Sequence, residues 1–196
     1  MASIADDVVG GFNTFLREQR KEPGTARVTL VQFDGQDPFE ILIDGQDLES
    51  VKDLDPRRYQ PRGNTPLLDA VGAMIARIDG EIVGRADRGK PIEDQVVVII
   101  TDGYENASRE FSGQMISDLI AARRERAWTF VFLGADEGSI RDSMAMGVAM
   151  RSTARWDATK QGTGEMFGKL SEETVKYRSM GAAERRDKSD RFFEEE

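Results

Sequence analysis

The stretch QVVVIITDG, residues 95–103, most constrains how this chain can fold. Its run of Val and Ile leaves no polar face, so a strand made from it must be covered on both sides. That is the pattern of a strand inside a parallel sheet with helices above and below. A second run of the same kind, WTFVFLGA (128–135), follows after one helical segment, roughly 112–126. In that segment Met115, Ile116, Leu119 and Ile120 recur at three- and four-residue steps. Alternation of strand and helix in this form predicts a single doubly wound α/β sandwich.

The rest of the chain fits around that centre. MASIADDVVGGFNTFLREQR reads as an amphipathic helix, with Ile4, Val8, Phe12, Phe15 and Leu16 on one face. Asp6 and Asp7 near its start and Arg17, Arg20 and Lys21 near its end suit the helix dipole. ARVTLVQF (26–33) and FEILID (39–44) are predicted to form a hairpin across the turn DGQDP. After a polar loop, Thr65 reads as an N-cap and Pro66 as the first residue of a helix lined by Leu67, Val71, Met74, Ile75 and Ile78. GEIVGRADRGKP (80–91) reads as a Gly-rich loop; its glycines fit no dinucleotide fingerprint. A short helix near 139–146, a weak edge strand near 153–157 and a helix over 163–178 complete the domain, residues 1–178. Residues 179–196 are dense in charge and read as a flexible tail, with Phe192-Phe193 able to dock.

Composition removes several functions. The formal charge of −9 argues against a nucleic-acid backbone as partner. With no Cys and no His, disulfides, thiolate or imidazole metal sites and His-dependent nucleophile systems are excluded. No apolar run approaches the ~20 residues of a membrane span, and no signal peptide is evident, so no membrane association and a cytoplasmic location are expected.

Two segments can carry chemistry. GNTP (63–66) enters a helix, and TDG (101–103) ends the strand expected to be the most buried. In open α/β sheets ligands collect at the carboxyl ends of strands, within reach of both. The Thr65 hydroxyl and the Asp102 carboxylate are hard oxygen donors suited to Mg²⁺ with water in the remaining positions. Taken singly, Thr65 is an ordinary cap and Asp102-Gly103 an ordinary turn; together on this pattern they favour a site. Asp34, Asp37, Asp44 and Asp47 lack calcium-loop spacing and read as a solvated rim.

On these residues the chain resembles the von Willebrand factor A (VWA) domain family over about residues 3–178. The resemblance lies in ARVTLVQFDG, RGNTPLLDAV and VVVIITDGYENAS, and is nearest to compact stand-alone bacterial and phage versions. It implies a mostly parallel Rossmann-like sheet and a metal-ion-dependent adhesion site holding Mg²⁺, or Mn²⁺. There Thr65 matches the family's threonine and Asp102 its aspartate, with Asn64, Tyr104, Glu105 and Asn106 on the partner-binding rim. The family's first strand and its Asp-x-Ser-x-Ser motif have no counterpart here, since Met1 falls just after their place. The resemblance places that strand between 26–33 and 95–101, so its loss implies two unpaired edges and a slot in the core. A start upstream of Met1, favoured first, a strand supplied by a partner or a second copy, and closure around the gap would each account for it. Metal binding by this chain is expected to be weak or absent.

The function expected is therefore non-enzymatic: an interaction module that meets an acidic residue of a protein partner through Mg²⁺. The alternatives are a metal-free scaffold whose site has been lost and, with less weight, a Mg²⁺-dependent hydrolase, for which Asp69 is the one obvious second carboxylate.

Overall fold

The computed structural model describes residues 1–194. A 3₁₀ turn at Ala2–Ile4 leads into α1 (Ala5–Arg20), followed by β1 (Arg27–Gln32), β2 (Glu40–Asp47) and α2 (Leu67–Asp87). Then come β3 (Val96–Thr101), α3 (Gly113–Arg124), β4 (Thr129–Gly134), α4 (Glu137–Ala145), β5 (Thr153–Arg155), α5 (Lys160–Ser179) and α6 (Ala182–Lys188). The chain is thus α/β, and no helix among the described residues is long and apolar enough to cross a membrane.

Helices cover both faces of the parallel strands. On one face Leu67, Val71 and Ile75 of α2 and Ile116 and Ile120 of α3 pack on Val97, Ile99, Phe130 and Phe132. On the other, Val8 of α1 and Met166, Phe167, Leu170 and Tyr177 of α5 pack on Val131 and Leu133. Alternate residues of each strand go to opposite faces, as the period of two requires. Trp128 is buried beside Phe130, and Trp156 donates its indole N–H to the carbonyl of Leu133 at 3.2 Å.

The strands do not form one sheet. β3, β4 and β5 pair in parallel in that order, and β1 pairs antiparallel with β2 as a separate ribbon. No strand lies between β1 and β3 among the described residues and the two do not pair, so the parallel strands and the ribbon form two pieces. Burial follows from this. β4, flanked on both edges, is buried at every residue, whereas in β3 the alternate residues Val96, Val98 and Ile100 are only half-buried. The run richest in Val and Ile is thus not the most enclosed strand, since enclosure depends on the neighbours at its edges as well as its faces.

Three local expectations also change. α2 continues two turns beyond the expected end at Ile78, to Asp87. Ile78 and Ile82, one turn apart, pack against the core, and Arg77 pairs with Glu81 at 2.6 Å. These gains outweigh the roughly 1 kcal/mol that each of Gly80 and Gly84 costs in a helix. Beyond residue 178, α6 forms and Phe192 is 0% exposed, its ring 5.9 Å from that of Tyr177. Residues 195–196 of the tail lie outside the described residues. Asp34, read as part of a solvated rim, is 3% exposed: it accepts the N–H of Gln36 at 2.7 Å and the guanidinium of Arg62 at 2.6 Å. Arg62 also reaches Glu40, so the turn of the hairpin is tied to the loop that leads toward α2.

A candidate site at the carboxyl end of β3

Two loops meet where β3 ends. Gly103 follows the strand, and Thr65 precedes α2; a Cβ on Gly103 would stand 3.2 Å from the Thr65 hydroxyl oxygen. Thr65 and Asn106 are joined twice: the Thr65 N–H donates to Asn106 Oδ1 at 2.8 Å, and the Asn106 N–H to the Thr65 carbonyl at 3.2 Å. Asn64 sits in the left-handed region, with φ of 55°, a conformation Asn tolerates better than most residues. The Thr101 hydroxyl holds the turn, accepting the Gly103 N–H at 3.2 Å and donating to its carbonyl at 2.8 Å.

The N-terminus of α2 is capped from the other loop rather than by Thr65. Pro66 holds the cap position without a side-chain hydrogen bond. Instead Glu105 accepts the N–H of Leu68 at 3.0 Å, and the Ser108 hydroxyl accepts that of Asp69 at 3.1 Å. This corrects the capping role expected of Thr65. A carboxylate near a helix N-terminus gains from the helix dipole as well as from the hydrogen bond. Thr65, its hydroxyl relieved of capping, lies open beside Gly103, half-buried.

Glu105 and Asp69 are both occupied. Glu105 also accepts from the N–H of Ala107 at 2.9 Å and of Ser108 at 2.8 Å, and from the Ser108 hydroxyl at 2.7 Å. Burial works against its charge, but these donors outweigh it and hold the carboxyl below the usual range. Asp69 accepts the N–H groups of Arg109 at 2.8 Å and of Glu110 and Phe111 at 2.9 Å. Here too burial is overcome by backbone donors, and the carboxyl is held low. Asp142 of α4 accepts the N–H of Glu105 at 2.6 Å. Its carboxyl is pushed up by burial and by the charges of Glu105 and Asp136. Sequence reading missed Ser108 and Asp142; only the spacing of Glu105 and Ser108, three residues apart, hinted at a local turn.

The residues singled out from the sequence thus divide. Thr65, Asp102, Asn64, Tyr104 and Asn106 lie on the two loops at this edge, with Tyr104 57% exposed and Asn64 and Asn106 exposed. Glu105 lies among them, turned to the loop's own backbone. Asp102, 34% exposed at its side chain, pairs with the amino group of Met1.

One carboxylate and one hydroxyl are the right kind of donor for Mg²⁺, but they fill two of about six positions. Among the described residues no three acidic, His or Cys side chains converge to hold a metal. The chain's own side chains fit only part of a metal shell, and water or a partner's oxygen would supply the rest. No known protein-family model matches the chain, and a search of curated proteins finds no match.

Proposed function

We propose that this chain is a non-enzymatic protein-interaction module of VWA-like design, docking through the loops that carry Asn64, Thr65, Asp102, Tyr104 and Asn106. The order of hairpin, helix, strand, helix and strand supports that reading of the fold, with helices on both faces of the parallel strands. The observation that carries the function is how the carboxylates are used. Asp69 and Glu105, the nearest candidates for acid–base or metal chemistry beside Asp102, are filled by backbone N–H groups. Asp102 is left as a single carboxylate beside an exposed Tyr and two exposed Asn, with little to drive a reaction and much to contact a partner. On this reading Asp102 and Thr65 hold Mg²⁺ or Mn²⁺ weakly, and a partner's acidic residue contributes the missing oxygen.

Calorimetric titration of Mn²⁺ and Mg²⁺ tests it, with and without an excess of glutamate as a stand-in for the partner's carboxylate. The expected result is weak binding that glutamate strengthens and that Asp102→Ala and Thr65→Ala each reduce. Equal binding by Asp102→Ala overturns the site assignment. Absence of metal binding beside an Asp102-dependent partner contact favours the metal-free scaffold. Asp102-dependent turnover of a phosphate ester replaces the interaction reading with the hydrolase.

A further inference from the structure

Residues 180–194 form a strap with an exposed middle and a buried end. α5 stops at Ser179, and Met180 and Gly181 are extended, with φ of −73° and −69°, before α6 begins. α6 is exposed up to Asp187 apart from Arg185, which is half-buried. Beyond it Lys188, Ser189 and Phe192 are buried. Phe192 packs on Tyr177, and its N–H donates to the Ser152 hydroxyl at 3.1 Å. That hydroxyl donates in turn to the Ser189 carbonyl at 3.3 Å, and the Phe193 N–H donates to the Arg151 carbonyl at 3.0 Å. Three ion pairs tie the strap to separate parts of the body: Arg185 to Asp94 at 2.8 Å, Asp190 to Arg124 at 2.7 Å and Glu194 to Arg151 at 2.9 Å.

One contact in this seat is poor. Glu173 and Lys188, with side chains 5% and 7% exposed, face each other at 3.7 Å, and Glu173 Oε2 accepts no hydrogen bond among the described residues. Buried charges joined at that distance recover little of their desolvation cost. Release of the strap returns both to water and offsets part of what Phe192 loses.

The hinge is two residues long. When Met180 and Gly181 turn helical, α5 and α6 join into one helix over residues 160–188, which Met favours and Gly tolerates. Lys188 then stands about 16 Å along the axis from Tyr177, and the four residues to Phe192 span at most about 14 Å. The anchor cannot resume that seat in its own chain, whereas a second copy offers the same seat with every complementary group.

We propose that this chain dimerises by exchanging residues 182–194, with the Phe192 of each copy seated against Tyr177 and Ser152 of the other. The occupant is a second copy because the seat's apolar recess, its hydroxyl and its three charges already match this chain's own strap. Exchange keeps the strap's contacts, so its balance turns on the hinge and on protein concentration. Asp94 and Arg151 precede β3 and β5, so the exchange lies at the amino ends of the parallel strands, opposite Thr65 and Asp102. The loops of both copies stay open, which makes the dimer bivalent. The exchange itself does not depend on what those loops bind.

Analytical ultracentrifugation of samples refolded from urea over a range of protein concentrations tests it. The expected result is a monomer in dilute protein and a dimer that grows with concentration. Gly181→Ala fits the monomer, since the added Cβ stands 3.5 Å from Glu184 Oε2, an ordinary contact. It should tighten the dimer about thirtyfold, roughly fivefold for the helix preference of Ala over Gly at each of two hinges. Gly181→Pro suits the monomer's φ and follows an extended residue, giving up one exposed hydrogen bond to Glu184. It breaks the joined helix and should abolish the dimer, as should Phe192→Ala. In the Gly181→Ala dimer the amides of residues 182–184 should exchange hydrogen more slowly than in its monomer, because they gain carbonyl acceptors four residues back. An excess of a synthetic peptide of residues 182–194 should dissociate the dimer.

A Gly181→Ala protein that stays monomeric at every concentration overturns the proposal. So does a dimer that survives Phe192→Ala or Gly181→Pro, or unchanged exchange at residues 182–184. Where Phe192→Ala does not fold, Gly181→Pro decides. Capture of the peptide by a protein that never dimerises assigns the seat to some other chain and overturns the exchange.

Discussion

Glu105 accepts the backbone N–H of Leu68 at 3.0 Å, so the loop after β3 caps the helix that follows the hairpin. Residues 37 positions apart thus share one helix terminus. Replacing Glu105 with Ala exposes the N–H groups of Leu68, Ala107 and Ser108 to the loss of their acceptor. The expected cost is about 2 kcal/mol, within the range for a lost cap and its hydrogen bonds. Urea unfolding at neutral pH reads it; an effect of Glu105→Gln as large as that of Ala would contradict the role of the acceptor oxygens.

Asp69 carries the same logic into pH dependence. Its carboxyl is held low in the fold despite burial, as is that of Glu105. A depressed carboxyl contributes stability that is present above its unfolded value, near 4, and is lost as pH falls through the lower folded value. Stability should therefore fall steeply below about pH 4, and Asp69→Asn should flatten that fall while lowering stability at pH 7 by about 2 to 3 kcal/mol. Denaturant melts at a series of pH values check the sign.

Asp142 should behave in the opposite sense. Burial raises its carboxyl, and the charges of Glu105 and Asp136 raise it further. An acid with a raised folded value loses stability as pH rises from its unfolded value through the folded one. Asn keeps an oxygen for the Glu105 N–H and carries no charge, so Asp142→Asn should be neutral or slightly stabilising at pH 7, by less than about 1 kcal/mol given its solvent contact. Thermal melts at pH 4 and pH 7 should show the gain only at the higher value.

Phe192 anchors the end of the chain. It is 0% exposed, packs against Tyr177, and its N–H donates to the Ser152 hydroxyl at 3.1 Å. Phe192→Ala should cost about 3 to 5 kcal/mol, the range for emptying a buried aromatic site. A flexible tail would show no change, so chemical denaturation of this one variant decides between the two.

α1 and α5 meet at Gly11, where a Cβ would enter the ring of Phe167. Gly11→Ala should destabilise by about 1 to 3 kcal/mol although Ala is the better helix former, because the buried Phe167 ring must leave its packed position to admit the Cβ. Gly10, one residue earlier with nothing within 4 Å, is the control: Gly10→Ala should be neutral or stabilising.

Much of the fold was legible. The runs at 95–101 and 128–135 announced parallel strands, and helical spacing marked α1, α3 and α5, because each signal is set by residues within a turn or two. The glycines at 80 and 84 hid the end of α2, since the core contact of Ile82 that sustains the helix is not local. Charge density hid α6 and the burial of Phe192 for the same reason. At the site, the tendency of ligand loops to gather at the carboxyl ends of strands brought Thr65 and Asp102 to one edge. The occupation of Asp69 and Glu105 was not legible, for their donors lie on backbone whose path no side-chain pattern encodes.

By itself, then, the sequence determined which segments are strands and helices and which faces are apolar, through local periodicity and the need to bury Val and Ile. Only the tertiary structure decided that β3 lies at an edge of its sheet while β4 is enclosed, and that the carboxylates of Asp69 and Glu105 serve the fold. Strand edges and backbone donors find partners through three-dimensional proximity, which for Asp69 and Phe111 joins residues 42 positions apart.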